Sequence, residues 1–196
     1  MKINLPDPRL DGPVSLEQSL HKRRCQRRFS AAPLTLQEIA QLAWAAQGIT
    51  APRGQRTCPS AGALYPLELL IIAGNVLDLA AGVYHYAPKG HELLMTAKGD
   101  TRPALAEAGL KQSFIQDAAA NLLLAAVYER TTGKYGRRGI RYVHMEAGHA
   151  AQNVCLQAAA LGLGTVMVGA FRDDRVKEVL NLAPDEEPLY ILPVGR

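Results

Sequence analysis

Apolar positions recur along this chain with two periods, one helical and one strand-like. Thr35-Leu-Gln-Glu38 has the form of a capping box, and Ile39, Leu42, Ala43 and Ala46 follow at the spacing of one helical face up to Gly48. Ser15-Leu-Glu-Gln18 has the same form and predicts a short helix running into His21–Arg24. Leu67–Ala73 is an apolar run of strand length, and Val83–Tyr86 with His91–Met95 flank a Pro-Lys-Gly turn and predict a hairpin. Asp100 with Pro103 opens a helix reaching about Leu110. Asn121–Val127 reads as a buried strand, followed by a polar, Gly-punctuated, basic loop over 128–142. The longest helical segment covers about Val143–Leu161 and stops at Gly162. Thr165–Val168 reads as a strand, Asp173 or Asp174 caps a helix to about Leu182, and Leu189–Val194 is a last strand. The order has no regular βαβ rhythm, which favours α+β over a doubly wound sheet. Residues 1–13 read as an extended arm, and no linker or repeat divides the chain, so 1–196 is expected to form one domain.

The long helix changes this picture. It carries Ala147, Gly148, Ala150, Ala151, Ala158, Ala159 and Ala160, so it is apolar or small on nearly every face. Such a helix is buried all round and lets another helix approach closely. In a chain of 196 residues an oligomer interface is the expected way to bury it.

Composition then removes several classes of function. The net charge is +4, charged residues are 20% and hydrophobic residues 48%, as in a mildly basic globular protein rather than a disordered one. The three cysteines, Cys25, Cys58 and Cys155, contain no CxxC pair, which excludes a disulfide framework and a thiolate zinc site. The N-terminus lacks the apolar run of a signal peptide, and no stretch reaches the ~18 apolar residues of a membrane span. A soluble, cytoplasmic protein with no metal is expected.

Candidate chemistry is concentrated in a few places. Arg23, Arg24, Arg27 and Arg28 would pair on a helix, 23 with 27 and 24 with 28, and guanidiniums suit bidentate recognition of phosphate or carboxylate. A solvated helix end is the plainer alternative. Nucleic-acid binding is disfavoured by the 6% aromatic content and the lack of a recognised motif. Pro59-Ser-Ala-Gly-Ala-Leu-Tyr-Pro66 is a loop whose backbone can approach a ligand. Ser60 lacks a GxSxG elbow, so a hydrolase is disfavoured. Lys134-Tyr135 can relay a proton if Lys lowers the phenol pKa, although an exposed loop with a packed Tyr explains the same residues. Glu146 and His149 form one ExxH, half of a di-metal site, for which helix-interior hydrogen bonding is the plainer account. No GxGxxG or P-loop occurs.

In their order these segments resemble the SagB-type branch of the FMN-dependent nitroreductase family. The resemblance runs from about residue 16 to 196, through Arg23–Phe29, Leu42–Ile49, Pro59–Pro66, Gly82–Tyr86, Lys134-Tyr-Gly136, Glu146–Asn153, Leu161–Gly164 and Val168–Phe171. It implies an α+β nitroreductase-like fold, a central, mostly antiparallel sheet wrapped by helices, with the long helix at the core of a homodimer and FMN at the interface. Arg23, Arg24 and Cys25 match the element that holds the FMN phosphate and ribityl chain, with Cys25 replacing the usual Ser. Arg27 matches a basic position near the pyrimidine edge, and Arg196 one near the phosphate. Pro59, Ser60, Ala61, Gly62 and Ala63 match the loop that packs on the flavin, typically from the partner subunit. Val168, Gly169 and Ala170 match the element donating backbone hydrogen bonds toward N5. The implied function is two-electron transfer between flavin and a small organic or heterocyclic substrate, with NAD(P)H as a possible donor. The branch includes azoline oxidases acting on modified peptides, in which a Lys-Tyr pair matching Lys134 and Tyr135 is linked to proton abstraction. A non-catalytic flavin-binding accessory subunit is the non-enzymatic alternative.

Overall fold

The computed structural model describes residues 1–196. In chain order the elements are β1 (Lys2–Asn4), α1 (Leu16–Lys22), β2 (Leu34–Thr35), α2 (Leu36–Gln47), β3 (Leu67–Ala73), β4 (Val76–Leu77), β5 (Gly82–Ala87) and β6 (Glu92–Lys98). They continue with α3 (Arg102–Ala108), α4 (Ser113–Asp117), β7 (Ala120–Val127), α5 (Glu129–Tyr135), α6 (Arg138–Ala160), β8 (Gly164–Thr165), α7 (Asp173–Leu180) and β9 (Glu186–Gly195). Seven strands form one sheet in the order β1-β6-β5-β3-β7-β9-β8, and every neighbouring pair is antiparallel. Strands β2 and β4 form a small parallel pair beside it. The α+β architecture with an antiparallel sheet is therefore as expected.

Apart from Glu68 and Asn121, the central strands β3 and β7 are apolar throughout because both faces of the sheet are covered. Strand residues alternate between faces. Leu67, Leu69, Ile71 and Ala73 of β3 pack with Leu122 and Leu124 of β7 under α2 and α6. Leu70 and Ile72 pack with Leu123 and Ala125 against α3, α4 and α7. The Thr35 capping box is complete: Thr35 Oγ1 accepts from the Glu38 amide, and the Glu38 carboxylate accepts from the Thr35 amide. The N-terminal arm adds β1 to the edge of β6, and Gln41 then holds it, accepting from the Arg9 amide at 2.8 Å while its own amide reaches Gln157 of α6.

Four expectations change. Residues 128–142 are not a loop but α5 and the first turn of α6. Their glycines make a helix-to-helix joint: Gly136 takes φ +55° and its amide caps Thr132, while Gly139 lies so close to the Thr131-Thr132 backbone that no Cβ fits. The long helix accordingly begins at Arg138 rather than Val143. Within one chain its Arg141, His144, Met145 and His149 stay exposed. The arginines at 23–28 do not pair on a helix. Helix α1 stops at Lys22, Arg23 is its C-cap, and Cys25 forms a parallel bridge with Thr165, so the segment extends the sheet edge with period two. The strand expected at Thr165–Val168 shortens to β8 plus a single bridge from Val168 to Ile191.

Candidate functional site

The expected site residues fall into two groups. The first lies at the end of the sheet formed by β8 and β9. There the Gln26 amide donates to the Thr165 carbonyl, and the Ser30 amide to the Arg196 carbonyl. Arg23 Nη1 approaches Cys25 Sγ at 3.9 Å, and both act on buried Cys155 of α6. Burial pushes the Cys155 thiol up to about 11, with Arg23 drawing it back. Arg24 turns its guanidinium onto the carbonyls of His21 and Arg23, closing the open end of α1. Arg27 stacks over the Phe114 ring at 5.9 Å. Gln112, at the same end of α4, donates to the Ala170 carbonyl at 2.9 Å, so Ala170 and Arg27 both contact the start of α4. The amides of Gly169 and Ala170 donate to no carbonyl of the chain. Arg196 brings its backbone to this end, but its guanidinium pairs with Glu38 at 2.5 Å.

The second group is built on the loop after α2. Thr57 Oγ1 donates to the Trp44 carbonyl, and Asn153 of α6 donates to the Thr57 carbonyl, so the foot of the loop is tied to both helices. Ser60 Oγ accepts from the Tyr65 amide at 2.9 Å and closes residues 60–65 into a tight turn. Within it Gly62 has φ +64°, a conformation that favours glycine. A Cβ there would lie 2.8 Å from the Tyr135 hydroxyl and 3.1 Å from Lys134 Nζ. Lys134 and Tyr135, 72 and 73 positions away in sequence from Gly62, thus converge on it within one chain. Tyr135 also meets Tyr142 edge-on at 5.2 Å.

Three residues that sequence reasoning did not single out hold this second group in place. Arg130 of α5 pairs with Glu68 of β3 at 2.5 Å and donates to the Tyr65 carbonyl, linking α5 to both sheet and loop. Glu68 also meets His85 at 2.8 Å; burial opposes its ionisation, but His85 and Arg130 hold the carboxyl below the usual range. Arg56 stacks over Tyr65 at 4.4 Å and donates to Gln47. No pattern in the sequence marks these contacts, since each joins residues from separate elements. Glu146, read as a hydrogen-bonded helix residue, is buried, and its Oε1 has no hydrogen-bond partner. No hydrogen bond or ion pair joins the two groups to each other.

The chain thus joins an α+β fold and a long helix to a glycine cradle facing a Lys-Tyr pair and to an arginine-bearing sheet edge. Residues 20–196 match the family model described as the nitroreductase family. The chain belongs to that family, and it is an oxidoreductase. It is 48% identical over 196 residues to the candidate nitroreductase MJ1384 of Methanocaldococcus jannaschii, covering 100% of this chain and 96% of that protein. The crystal structure of a candidate nitroreductase from Ralstonia eutropha JMP134 superposes with a TM-score of 0.87 at 29% identity, covering 100% of this chain and 89% of the other. The microcin B17-processing protein McbC of Escherichia coli is 31% identical over 133 residues, 65% of this chain, and the chain spans only 49% of McbC's length. No helix of the chain is long and apolar enough to cross a membrane.

Proposed function

We propose that the chain is an FMN-dependent oxidoreductase that works as a homodimer and moves two electrons between the flavin and a small organic or heterocyclic substrate. The observation that carries the reading is the convergence of Lys134 Nζ and Tyr135 Oη on Gly62. It sets a proton-handling pair directly against the backbone of the Pro59–Tyr65 loop. The residues fit FMN in three further respects. The guanidinium of Arg23 and the sheet-edge position of Cys25 offer a phosphate a cationic partner. The amides of Gly169 and Ala170 are free to donate to a heterocycle. The positive φ of Gly62 keeps the loop free of a side chain. Bound FMN would supply two-electron acceptance and donation at its N5.

In this reading Arg23, Arg24, Cys25 and Arg27 hold the phosphate, ribityl and pyrimidine side, while Val168, Gly169 and Ala170 orient the ring. Arg196 would contribute only after release from Glu38. Pro59, Ser60, Ala61, Gly62 and Ala63 pack on the ring face. Two copies are invoked because no hydrogen bond or ion pair joins the two groups within one chain and α6 keeps Met145 and His149 exposed. Lys134 and Tyr135 hold or move a proton next to the substrate, the Tyr phenol being the closer to the cradle.

The cofactor is tested by the colour and FMN titration of the purified protein; a colourless preparation that binds no added FMN overturns the reading. The donor is tested by anaerobic bleaching with NADH and with NADPH, followed by a panel of nitroaromatic, quinone and enone acceptors. A second reading, oxidation of thiazolines or oxazolines in modified peptides, is supported by the Lys-Tyr geometry and the similarity to McbC. Its test is aerobic turnover of a thiazoline peptide, which Lys134→Ala with Tyr135→Phe should abolish. A flavin that no donor or substrate reduces would instead favour an accessory subunit.

A further inference from the structure

A pocket of about 250 Å³ opens on the side of the Pro59–Tyr65 loop that faces α6, lined by Pro59, Ser60, Ala61, Tyr142, Glu146 and His149 among others. Glu146 is 2% exposed, and its Oε1 has no hydrogen-bond partner. An unsatisfied buried carboxyl oxygen is costly, and its position calls for an account. The same residue grips the loop by its backbone, for the Glu146 carbonyl accepts from Cys58 Sγ at 3.5 Å. Its side chain shares the pocket wall with Ser60, and the Ser60 hydroxyl and the charge of Arg56 both favour its carboxylate form. Ser60 in turn closes the turn that carries Gly62.

Resting on the function proposed above, we infer that Glu146 is a positioning residue of this site: its buried carboxyl, set against Ser60 in the pocket wall, and its carbonyl, holding Cys58, keep the loop so that Gly62 lies against Lys134 and Tyr135. Burial pushes the carboxyl up to about 7, against the pull of Ser60 and Arg56. Near neutral pH the link therefore exists in two forms. The neutral acid has a proton to donate and suits its buried setting; the carboxylate can only accept and leaves a charge with Arg56 as its cationic neighbour. The other titratable groups around it are Cys58 on the loop, Tyr142 and His149 on α6, and Lys134 with Tyr135 on α5. The loop's hold on the Lys-Tyr pair is thus expected to change as this one carboxyl ionises.

The apoprotein and the FMN-loaded protein test this separately. In the apoprotein, thermal midpoints of wild type and Glu146→Gln are compared from pH 5 to 8. The amide mimics the neutral acid, so the variant should gain on wild type by roughly 5–10 °C as pH rises through that interval. Ser60→Ala, which removes the hydroxyl that draws the carboxyl down, should move the same step to higher pH. His149→Gln should leave the step in place, and its disappearance there would assign the titration to His149 and overturn the inference. In the loaded protein, the pH profile of turnover should have an inflection near 7 that Glu146→Gln lacks, with FMN still bound. Identical profiles for wild type and variant would overturn the positioning role. A wild type that binds no FMN would overturn the functional reading instead, while the apoprotein melts would still report on the carboxyl.

Discussion

Replacing Gly62 by Ala probes the cradle at its most constrained point. Two effects add. Holding a residue with a Cβ at φ +64° costs about 1–2 kcal/mol. The new Cβ would also stand 2.8 Å from the Tyr135 hydroxyl and 3.1 Å from Lys134 Nζ. Both are tips of flexible side chains, so they swing aside and the clash itself adds little to the stability loss. For a domain of this size the expected fall in Tm is about 2–8 °C. The functional effect is larger, because displacing a reacting group by about 1 Å can cost on the order of 100-fold in rate. Turnover with the donor and acceptor found in the screen should fall roughly 10- to 100-fold while FMN remains bound. Gly54→Ala is the control. Gly54 has φ +83° with nothing within 4 Å of its Cβ position, so it carries the backbone cost without touching the site. Melting curves and steady-state turnover of both variants decide the matter. Wild-type turnover in Gly62→Ala, or an equal loss in Gly54→Ala, refutes the reasoning.

Other outcomes follow from the same geometry. Glu68→Gln removes the anchor of Arg130 and His85 and should destabilise by about 1–3 kcal/mol, discounted for the partly exposed Arg130. The His85 pKa is raised chiefly by its hydrogen bond to Glu68, so that part of the stability is full below the unfolded pKa and lost as pH rises through the folded one. The gap between wild type and Glu68→Gln should therefore be wider at pH 6 than at pH 9, as read by urea unfolding. Arg23→Ala with Arg24→Ala should release FMN on gel filtration; unchanged retention would refute the phosphate assignment. Leu122→Ala, in the middle of β7 and fully buried, should cost about 2–5 kcal/mol with little change in FMN affinity per folded molecule.

The elements that local chemistry specifies were legible along the chain. The capping box at Thr35, the apolar runs of β3 and β7 and the hairpin of β5 and β6 each rest on residues within a few positions of one another, and each formed where expected. The glycine-rich stretch after β7 was not legible. Gly136 and Gly139 have the composition of a loop, but the close packing of α5 on α6 makes them a joint, and contact between helices is not encoded by local propensity. The arginines at 23–28 were likewise recognisable as candidates but not placeable. Their spacing suits a helix, and the bridge from Cys25 to Thr165, 140 positions away, pulls them into an extended edge. By itself the sequence determined which residues are suited to bind an anion, shuttle a proton or leave a backbone bare, because those are properties of the side chains. Only the tertiary structure decided which of them meet. The convergence of Lys134 and Tyr135 on Gly62, the Arg130 anchor on Glu68 and the buried carboxyl of Glu146 beside Ser60 all depend on long-range packing, which brings together groups that no local pattern relates.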